Sequence, residues 1–291
     1  MKKALAFDIG GTKIYYTIIN ESGEVVGEIN KTSTPKTLNE ITDIIKKGIS
    51  ENPDVDVIAI ATAGTVNNEN TGVNGSTGNL PEGYHKIDFQ SLSDKRVYLE
   101  NDANAAAWAE YVIGSSKGCD NSVMLTLGTG VGGGIILNGR LYKGKSGGAG
   151  EMHFKMYPDK RRKCTCGAYD CFEAYASGTG LKITAEEMSG NKEITTYDVI
   201  DGLKLGCPEM TKIFNTWQNH ITQGIIGLAN IFDPDCFVLS GSMAEFVDIQ
   251  KIEEGVNSEI VTSPTSVRRG SAGNYSGMIG AGLLAIQSIE D

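Results

Sequence analysis

Two glycine-rich stretches decide how this chain folds: Asp8-Ile-Gly-Gly-Thr-Lys13 and Leu127-Gly-Thr-Gly-Val-Gly-Gly-Gly134. Each lies between two short apolar runs, a pattern that predicts two β-strands joined by a glycine turn. Because the pattern recurs roughly 120 residues later, it indicates an internal duplication. We therefore expect two α/β domains whose glycine turns face each other across a cleft, where small-molecule sites tend to form.

The remaining segments alternate between strand and helix patterns. Apolar spacing predicts further strands at residues 24–29 and 55–61, and helices at 38–50, 209–232 and 276–288. The expected domains are residues 1–111 together with the carboxy-terminal helix 276–291, and residues 112–275.

The composition is that of an ordinary globular protein. The 291 residues are enough for two modest domains, each with an apolar core. Hydrophobic residues make up 40% and charged residues 21%, which excludes disordered, fibrous and low-complexity classes. The formal net charge of −10, without a long Lys/Arg run, makes nucleic acid an unfavourable partner.

The amino terminus lacks a signal-peptide pattern, since Met1 leads within seven residues to Asp8 in an apolar strand pattern. No apolar run approaches the ~18 residues of a membrane-spanning helix. We therefore expect a cytoplasmic protein without a membrane partner. A long chain of this kind does not suggest a disulfide scaffold, and Cys119, Cys207 and Cys236 are assigned no role.

The two glycine turns are candidates for phosphate binding. Backbone N–H groups in such a turn can point at phosphate oxygens, and glycine permits the close approach. A single Gly-Gly pair favours a plain hairpin turn, but two turns in duplicated positions, each with a threonine, suit a polyphosphate held from both sides. Asp8 would then orient a magnesium ion, through water. The candidate ATP and magnesium residues are Asp8, Gly10, Gly11, Thr12, Lys13, Thr129 and Gly130.

A cluster of cysteines indicates a structural zinc site. Cys164-Thr-Cys166-Gly-Ala-Tyr-Asp-Cys171 supplies three thiolates within one loop, and His153 lies eleven residues upstream. Three cysteines and a histidine complete a saturated tetrahedral site, which is the structural kind. Gly167 supplies the tight turn that such a knuckle needs. The alternative is a reducible loop of free cysteines.

Five motifs, in their order and spacing, resemble the ROK family of sugar kinases and repressors within the actin-like ATPase superfamily. They are Asp8-Ile-Gly-Gly-Thr-Lys13, Glu100-Asn-Asp-Ala-Asn-Ala105, Leu127-Gly-Thr-Gly-Val-Gly-Gly-Gly134, the Cys-x-Cys-Gly-x3-Cys-x-Glu stretch and Leu239-Ser-Gly-Ser242. The resemblance covers essentially the whole chain. It implies an α/β fold of two duplicated actin-like (ribonuclease H-like) ATPase domains with an interdomain cleft, and ATP-dependent phosphorylation of a hexose.

The resemblance also implies roles for residues near the sugar. The aspartate that matches Asp102 acts as general base on the attacking hydroxyl, while Asn101 holds a neighbouring hydroxyl. The residues alone allow another interpretation, in which Asp102 only caps the alanine-rich helix that follows. Loops at Gly64 and at Gly78-Asn79 match sugar-side loops, with Asn79 as the contact, and Gly241 matches a turn beside the adenosine.

Zinc would hold its loop against the sugar pocket and present carboxylates to the sugar hydroxyls. Glu173 follows the last cysteine by two residues, and Glu151 precedes His153 by two; His153 is expected to serve metal and sugar. The alternative is that these glutamates are exposed surface groups. The family usually has a glycine before this histidine, which Glu151-Met152-His153 lacks, and usually a glycine where Asp170 stands. Because Asp tolerates left-handed backbone angles, we expect the zinc loop to form.

The sequence leaves the acceptor sugar open. Glucose is the family's commonest substrate, but the helix in residues 101–110 resembles that of N-acetylmannosamine kinases, and another amino sugar or fructose is also compatible. A sugar-responsive repressor needs a helix-turn-helix before Asp8, where only seven residues stand. An acetate-type kinase or chaperone-like ATPase would not need the zinc knuckle. The resemblance implies a homodimer, with ATP, Mg²⁺ and structural Zn²⁺ as cofactors.

Overall fold

A computed structural model describes residues 1–75 and 79–290 of the chain. The strands are β1 Lys3–Ile9, β2 Lys13–Asn20, β3 Asn30–Ser33, β4 Val57–Thr62, β5 Thr65–Val66, β6 Val73–Gly75, β7 Val97–Asn101, β8 Ser122–Leu127, β9 Val131–Leu137, β10 Arg140–Leu141, β11 Cys236–Ser240 and β12 Ser266–Arg269. The helices are α1 Leu38–Glu51, α2 Asp102–Val112, α3 Glu173–Ala176, α4 Gly178–Ser189, α5 Thr196–Lys204, α6 Pro208–Phe232, α7 Ile249–Glu259 and α8 Ser276–Gln287.

Two five-stranded sheets carry the same strand order, which confirms the predicted duplication. The first runs β3-β2-β1-β4-β7 and the second β10-β9-β8-β11-β12. In the first sheet, β1 pairs antiparallel with β2 and parallel with β4. In the second, β8 pairs parallel with β11, which pairs parallel with β12. Parallel strands need crossover connections, so α1 lies between β3 and β4, and α2 follows β7.

Most predicted elements are confirmed, and one is wrong. Residues 24–29 do not form the expected third strand; that position in the sheet belongs to β3, Asn30–Ser33. Val25 and Val26 are about a third exposed, and Val25 makes only an isolated bridge to Ile19. Val25 and Val26 therefore lack a buried face to occupy, and Gly27 has a φ of 118°, outside the strand region.

The chain divides into two compact units. The first comprises Met1–Gly118, Gly134–Gly150 and Ser271–Asp291, and the second Cys119–Gly133 and Glu151–Gly270. This division differs from the boundaries expected at residues 111 and 275. Residues 134–150 belong to the first unit, so one boundary falls within β9. The reason is packing: Ile136 and Leu141 lie in one apolar cluster with Trp108 and Leu284 of the first unit.

Helix α8 packs closely in the first unit through its glycines. A Cβ at Gly280 would overlap the carbonyl of Ala105 on α2, and one at Gly282 would lie 2.9 Å from Ile19 Cβ. Only residues without a side chain permit this approach. The end of the chain thereby supports the start of α2.

No helix in residues 1–75 and 79–290 combines the length and apolar character needed to cross a membrane.

Candidate active site

The first glycine turn joins β1 to β2 in the first unit and carries Asp8, Gly10, Gly11, Thr12 and Lys13. The Gly10 N–H donates to the Lys13 carbonyl at 3.0 Å, and the Thr34 hydroxyl donates to the Gly10 carbonyl at 2.6 Å. A Cβ at Gly11 would lie 2.8 Å from both Cβ and the carbonyl oxygen of Asn79. The structure thus brings the expected phosphate turn against the expected sugar contact Asn79. Gly78, of the same loop, lies outside the described residues.

Asp8 and Asp102 lie near each other in the first unit. A Cβ at Gly277 would lie 3.4 Å from the Asp102 carbonyl oxygen and 3.7 Å from Asp8 Oδ2. Burial of Asp8, and then the negative charge of Asp102, raise the pKa of Asp8 to about 7. A divalent cation would favour the ionised form, so the position suits the expected magnesium.

Asn101, and not Asp102, caps helix α2. The Asn101 Oδ1 accepts from the N–H groups of Ala103 and Asn104, both at 3.0 Å. Asp102 stands one residue later, at the first helical position, where its carboxylate accepts from the Ala103 N–H at 2.9 Å. The interpretation of Asp102 as the cap is therefore wrong. A carboxylate in the first turn is favoured by the helix dipole.

The Asn101 side chain also holds the loop that carries Gly64. Its Nδ2 donates to the Gly64 carbonyl at 3.1 Å. Gly64 has a φ of 97°, and a Cβ there would collide with the carbonyl oxygen of Gly75. Five candidate residues thus lie at the carboxyl ends of β1, β4 and β7 or in adjoining loops: Asp8, Gly64, Asn79, Asn101 and Asp102. Ligands bind at this edge in open α/β sheets.

The second glycine turn, between β8 and β9, is attached to the start of α4. The Gly178 N–H donates to the Gly128 carbonyl at 2.8 Å, and the Thr179 hydroxyl donates to the Thr129 carbonyl at 2.8 Å. The Gly128 N–H donates to the Gly130 carbonyl at 3.0 Å, which closes the turn. Thr129 is exposed.

Gly241 follows β11 and lies directly over the end of β8. Its φ is 86°, and a Cβ there would lie 2.5 Å from the Leu127 carbonyl oxygen. The same carbonyl accepts the Met243 N–H at 2.9 Å. The close approach of the residue after β11 to the end of β8 therefore requires glycine at position 241. The contact of Gly241 with adenosine stays a prediction.

The four expected zinc ligands lie together. One ligand atom from each of His153, Cys164, Cys166 and Cys171 can be chosen so that all lie within 4.8 Å of one another. The Cys166 and Cys171 sulfurs are 3.6 Å apart, and Cys164 Sγ is 3.5 Å from His153 Nδ1. With Zn–S about 2.3 Å and Zn–N about 2.0 Å, a tetrahedral ion would separate two sulfurs by about 3.8 Å and a sulfur and nitrogen by about 3.5 Å. The donor set therefore fits zinc.

Asp170 forms the left-handed turn that the zinc loop requires. Its φ is 58°, as its tolerance of such angles led us to expect. The side chain accepts from the Arg161 and Arg162 N–H groups and from the Tyr175 hydroxyl at 2.7 Å. Burial opposes the charge of Asp170, but the hydrogen bonds from Tyr175 and the two backbone N–H groups prevail and lower its pKa to about 2. The aspartate thus fixes the loop by three bonds that glycine could not make.

The residues around His153 form a tight turn. The His153 N–H donates to the Glu151 carbonyl at 2.8 Å, so the missing glycine is accommodated by a shortened turn. The Glu151 carboxylate lies 3.6 Å from His153 Nε2. If Nδ1 binds the metal, Nε2 has the carboxylate neighbour that metal-bound histidines commonly have.

Glu173 connects the zinc loop to the second glycine turn. Its Oε2 accepts the Val131 N–H at 3.1 Å, and its Oε1 lies 3.4 Å from Cys164 Sγ and accepts from the Thr165 hydroxyl. A Cβ at Gly130 would lie 2.5 Å from Glu173 Oε2. Sequence reasoning missed this link, because nothing in the local pattern pairs residue 173 with residue 131.

Lys143 is a further residue beside the Asn101-Asp102 turn that no motif indicated. Its Nζ lies 3.0 Å from Oε2 of the fully buried Glu100. Glu100 stands inside a motif quoted above, but its partner is 43 residues away, so local spacing could not identify the pair.

The duplicated sheets, each with a glycine turn after its first strand, define the actin-like ATPase fold. The chain belongs to the ROK family, whose match extends over residues 4–288. It is 32% identical to a glucokinase of Streptomyces coelicolor, over 98% of both chains. It is 34% identical to an N-acetylmannosamine kinase of Yersinia pestis, over 84% of both chains. A ROK family glucokinase from Streptomyces griseus, in complex with glucose and AMPPNP, has a TM-score of 0.80 at 30% identity, covering 98% of this chain and 99% of that one.

Proposed function

We propose that this protein transfers the γ-phosphate of ATP to a hydroxyl group of a hexose, with Asp102 as general base. Membership of the ROK family, and relatives named glucokinase and N-acetylmannosamine kinase, support a sugar kinase. The observation that carries the proposal is that Asn101, and not Asp102, caps α2, so that the carboxylate begins the helix near Asp8 and the first glycine turn. Asp102 would accept the proton of the attacking hydroxyl late in a loose transition state, where position matters more than basicity.

The first glycine turn would hold phosphate groups through its backbone N–H groups, with Lys13 supplying a positive charge. Asp8 would orient magnesium, which neutralises charge on the transferred phosphate when bound. The second turn, at Thr129 and Gly130, would hold the remaining phosphates. Gly241 would lie beside the adenosine.

The sugar would be bound by Asn79, Asn101, Glu151, His153 and Glu173, with Gly64 beneath it. Amide groups both donate and accept, and carboxylates accept from adjacent hydroxyls. Glu151 Oε2 lies 3.6 Å from His153 Nε2, close enough for the carboxylate to orient the ring that would serve the metal.

His153, Cys164, Cys166 and Cys171 would hold a structural zinc ion. Their separations and their chemistry fit a saturated tetrahedral site. Zinc, when bound, would fix the loop from which Glu173 reaches the second glycine turn. Purified protein should contain about one zinc per chain, and Cys166→Ser should lower this content together with sugar turnover. Full turnover in zinc-free protein would contradict this assignment.

The acceptor is proposed to be glucose, with N-acetylmannosamine, another amino sugar or fructose as the alternative. The glucokinase relative spans nearly the whole chain, while the N-acetylmannosamine kinase is slightly more identical over a shorter range. One acetyl group in a pocket changes selectivity by only a few kcal/mol. A homodimer in the cytoplasm remains our prediction.

The decisive experiment measures ADP release with glucose, mannose, fructose, N-acetylglucosamine and N-acetylmannosamine, for the unaltered protein and for Asp102→Asn. We expect the variant to bind ATP normally and to lose turnover by orders of magnitude. Asp54→Asn, at an exposed position, is the matched control. Activity on none of the sugars with intact ATP hydrolysis would refute the sugar kinase, and near-normal turnover of Asp102→Asn would refute the general base.

A further inference from the structure

Glu100 is a buried carboxylate placed directly before the Asn101-Asp102 turn. It has no exposed surface, and four donors surround it. Its Oε1 accepts the Asn101 N–H at 3.0 Å and Asn104 Nδ2 at 3.2 Å. Its Oε2 accepts Asn70 Nδ2 at 2.9 Å and Lys143 Nζ at 3.0 Å. The backbone that leads into Asp102 is therefore attached to this carboxylate.

Lys143 provides the charge that Glu100 needs. Within the described part of the chain, the ion pair with Lys143 is the only one that Glu100 makes, and 14% of the lysine side chain is exposed. A buried charge persists only when it is paired and hydrogen-bonded. Removing the ammonium group would leave an uncompensated charge next to the Asn101 N–H, which would draw in water or shift the turn.

The same ion pair joins a neighbouring loop to the end of β7. Lys143 Nζ also donates to the Asn67 carbonyl at 3.0 Å. Asn70, with a φ of 59°, donates through Nδ2 to the Leu99 carbonyl at 2.7 Å, and its own carbonyl accepts the Leu99 N–H at 2.9 Å. Residues 67–70 and the last residues of β7 are thus held around one carboxylate.

Lys143 also begins a segment, residues 143–146, that is hydrogen-bonded to residues 67–74 of the same unit. Asn68 Nδ2 donates to the Gly144 and Lys145 carbonyls at 3.2 and 2.9 Å, and Asn74 Nδ2 donates to the Ser146 carbonyl at 3.1 Å. These bonds involve side-chain amides and backbone carbonyls at exposed positions. Lys143 is the point at which the segment is anchored to a buried group.

We infer that Lys143 is a positioning residue for phosphoryl transfer, which holds Asp102 in place through Glu100. This inference rests on the proposed function of Asp102 as general base. Lys143 does not touch the reacting atoms; it neutralises Glu100, whose Oε1 fixes the Asn101 N–H one residue before Asp102. The pair would therefore set the position of the base relative to the attacking hydroxyl, and a misplacement of about 1 Å costs about 10²-fold in rate.

The test compares Lys143→Met with Lys182→Met, which removes a lysine from the surface pair with Glu186 on α4. We expect Lys143→Met to lower kcat by about 10²-fold, with the KM for ATP close to that of the unaltered enzyme. Lys143→Arg keeps the charge and should retain more activity than Lys143→Met. Amide hydrogen exchange over residues 99–104 should become faster in Lys143→Met and stay unchanged in Lys182→Met.

A purely structural role would give a lower melting temperature with normal kcat in the folded protein, and that result would overturn the inference. A loss of kcat without faster exchange over residues 99–104 would also overturn it, since Lys143 would then act elsewhere. If Lys143→Met does not fold, Glu100→Gln takes its place, because it removes the buried charge and leaves two of the four donors facing an NH₂ group. Glu100→Gln should then show the same direction of change, and normal kcat would overturn the inference. If the unaltered enzyme phosphorylates no sugar, the proposed function fails, while the exchange data still decide whether Lys143 holds the turn.

Discussion

Glu110 offers a direct measure of what a buried carboxylate contributes to this fold. Its side chain lies on α2 with 1% of its surface exposed. The two oxygens accept the backbone N–H groups of Ser115 at 2.7 Å, Ser271 at 3.1 Å and Ala272 at 2.8 Å. Ser115 lies just before Gly118, where the first segment of the first unit ends. Ser271 and Ala272 lie just after Gly270, where the second unit ends.

The substitution Glu110→Gln keeps the shape but removes the charge and one acceptor. Its carbonyl oxygen can replace Oε2 and accept from Ser115 and Ser271, whereas its NH₂ group must face the Ala272 N–H. Hydrogen bonds to a charged group contribute about 1.5–3 kcal/mol, neutral ones about 1, and an unsatisfied buried N–H costs about 1–3. We expect a loss of about 3 kcal/mol in the free energy of unfolding, or about 6–12 °C in the melting temperature.

The assay is thermal unfolding followed by circular dichroism, with amide exchange at residues 115, 271 and 272 as the local readout. Glu193→Gln, at an exposed position whose side chain accepts no bond in the described residues, is the control. An unchanged or higher melting temperature for Glu110→Gln would refute the reasoning. It would mean that burying the charge costs more than its three bonds return.

Three further changes test other parts of the structure. In metal-free buffer, Asp8→Asn should raise the free energy of unfolding by about 4 kcal/mol at pH 8.5 and by about 2 kcal/mol at pH 5.5, because the pKa of Asp8 is about 7 in the folded protein and 3.8 otherwise. The neutral form stabilises the fold fully below pH 3.8 and this contribution is lost as pH rises to 7, so an equal gain at both pH values would contradict it. Asp170→Ala should lower the free energy of unfolding by about 2–4 kcal/mol and lower the zinc content. Asp170→Gly should cost less, because glycine adopts a φ of 58° without strain. Equal losses of unfolding free energy in calorimetry would exclude a contribution from backbone strain. Gly11→Ala should raise the KM for the sugar several-fold by displacing Asn79, and an unchanged KM would show that this contact is not needed.

Much of the fold could be predicted because it is encoded in short stretches. The apolar runs around each glycine turn gave β1, β2, β8 and β9, and helical spacing gave α1, α6 and α8. The failure at residues 24–29 has a physical cause, since alternation predicts a strand only if one face is buried, and Val25 and Val26 are partly exposed.

The site could be predicted in part for the same reason. Three cysteines within eight residues necessarily lie near one another, and His153 is only eleven residues away. The sequence could not show whether Asn101 or Asp102 caps α2, because both residue types favour the starts of helices. Only the backbone angles decide which of the two is the cap.

The sequence by itself determined the duplication, the two glycine turns and the grouping of His153 with three cysteines, since each depends on residues close together in the chain. Only the tertiary structure decided which distant groups meet: Glu100 with Lys143, Glu173 with Val131, and residues 134–150 with the first unit. The physical reason is that a buried carboxylate must find donors wherever the fold brings them, and their separation along the chain leaves no periodic signal.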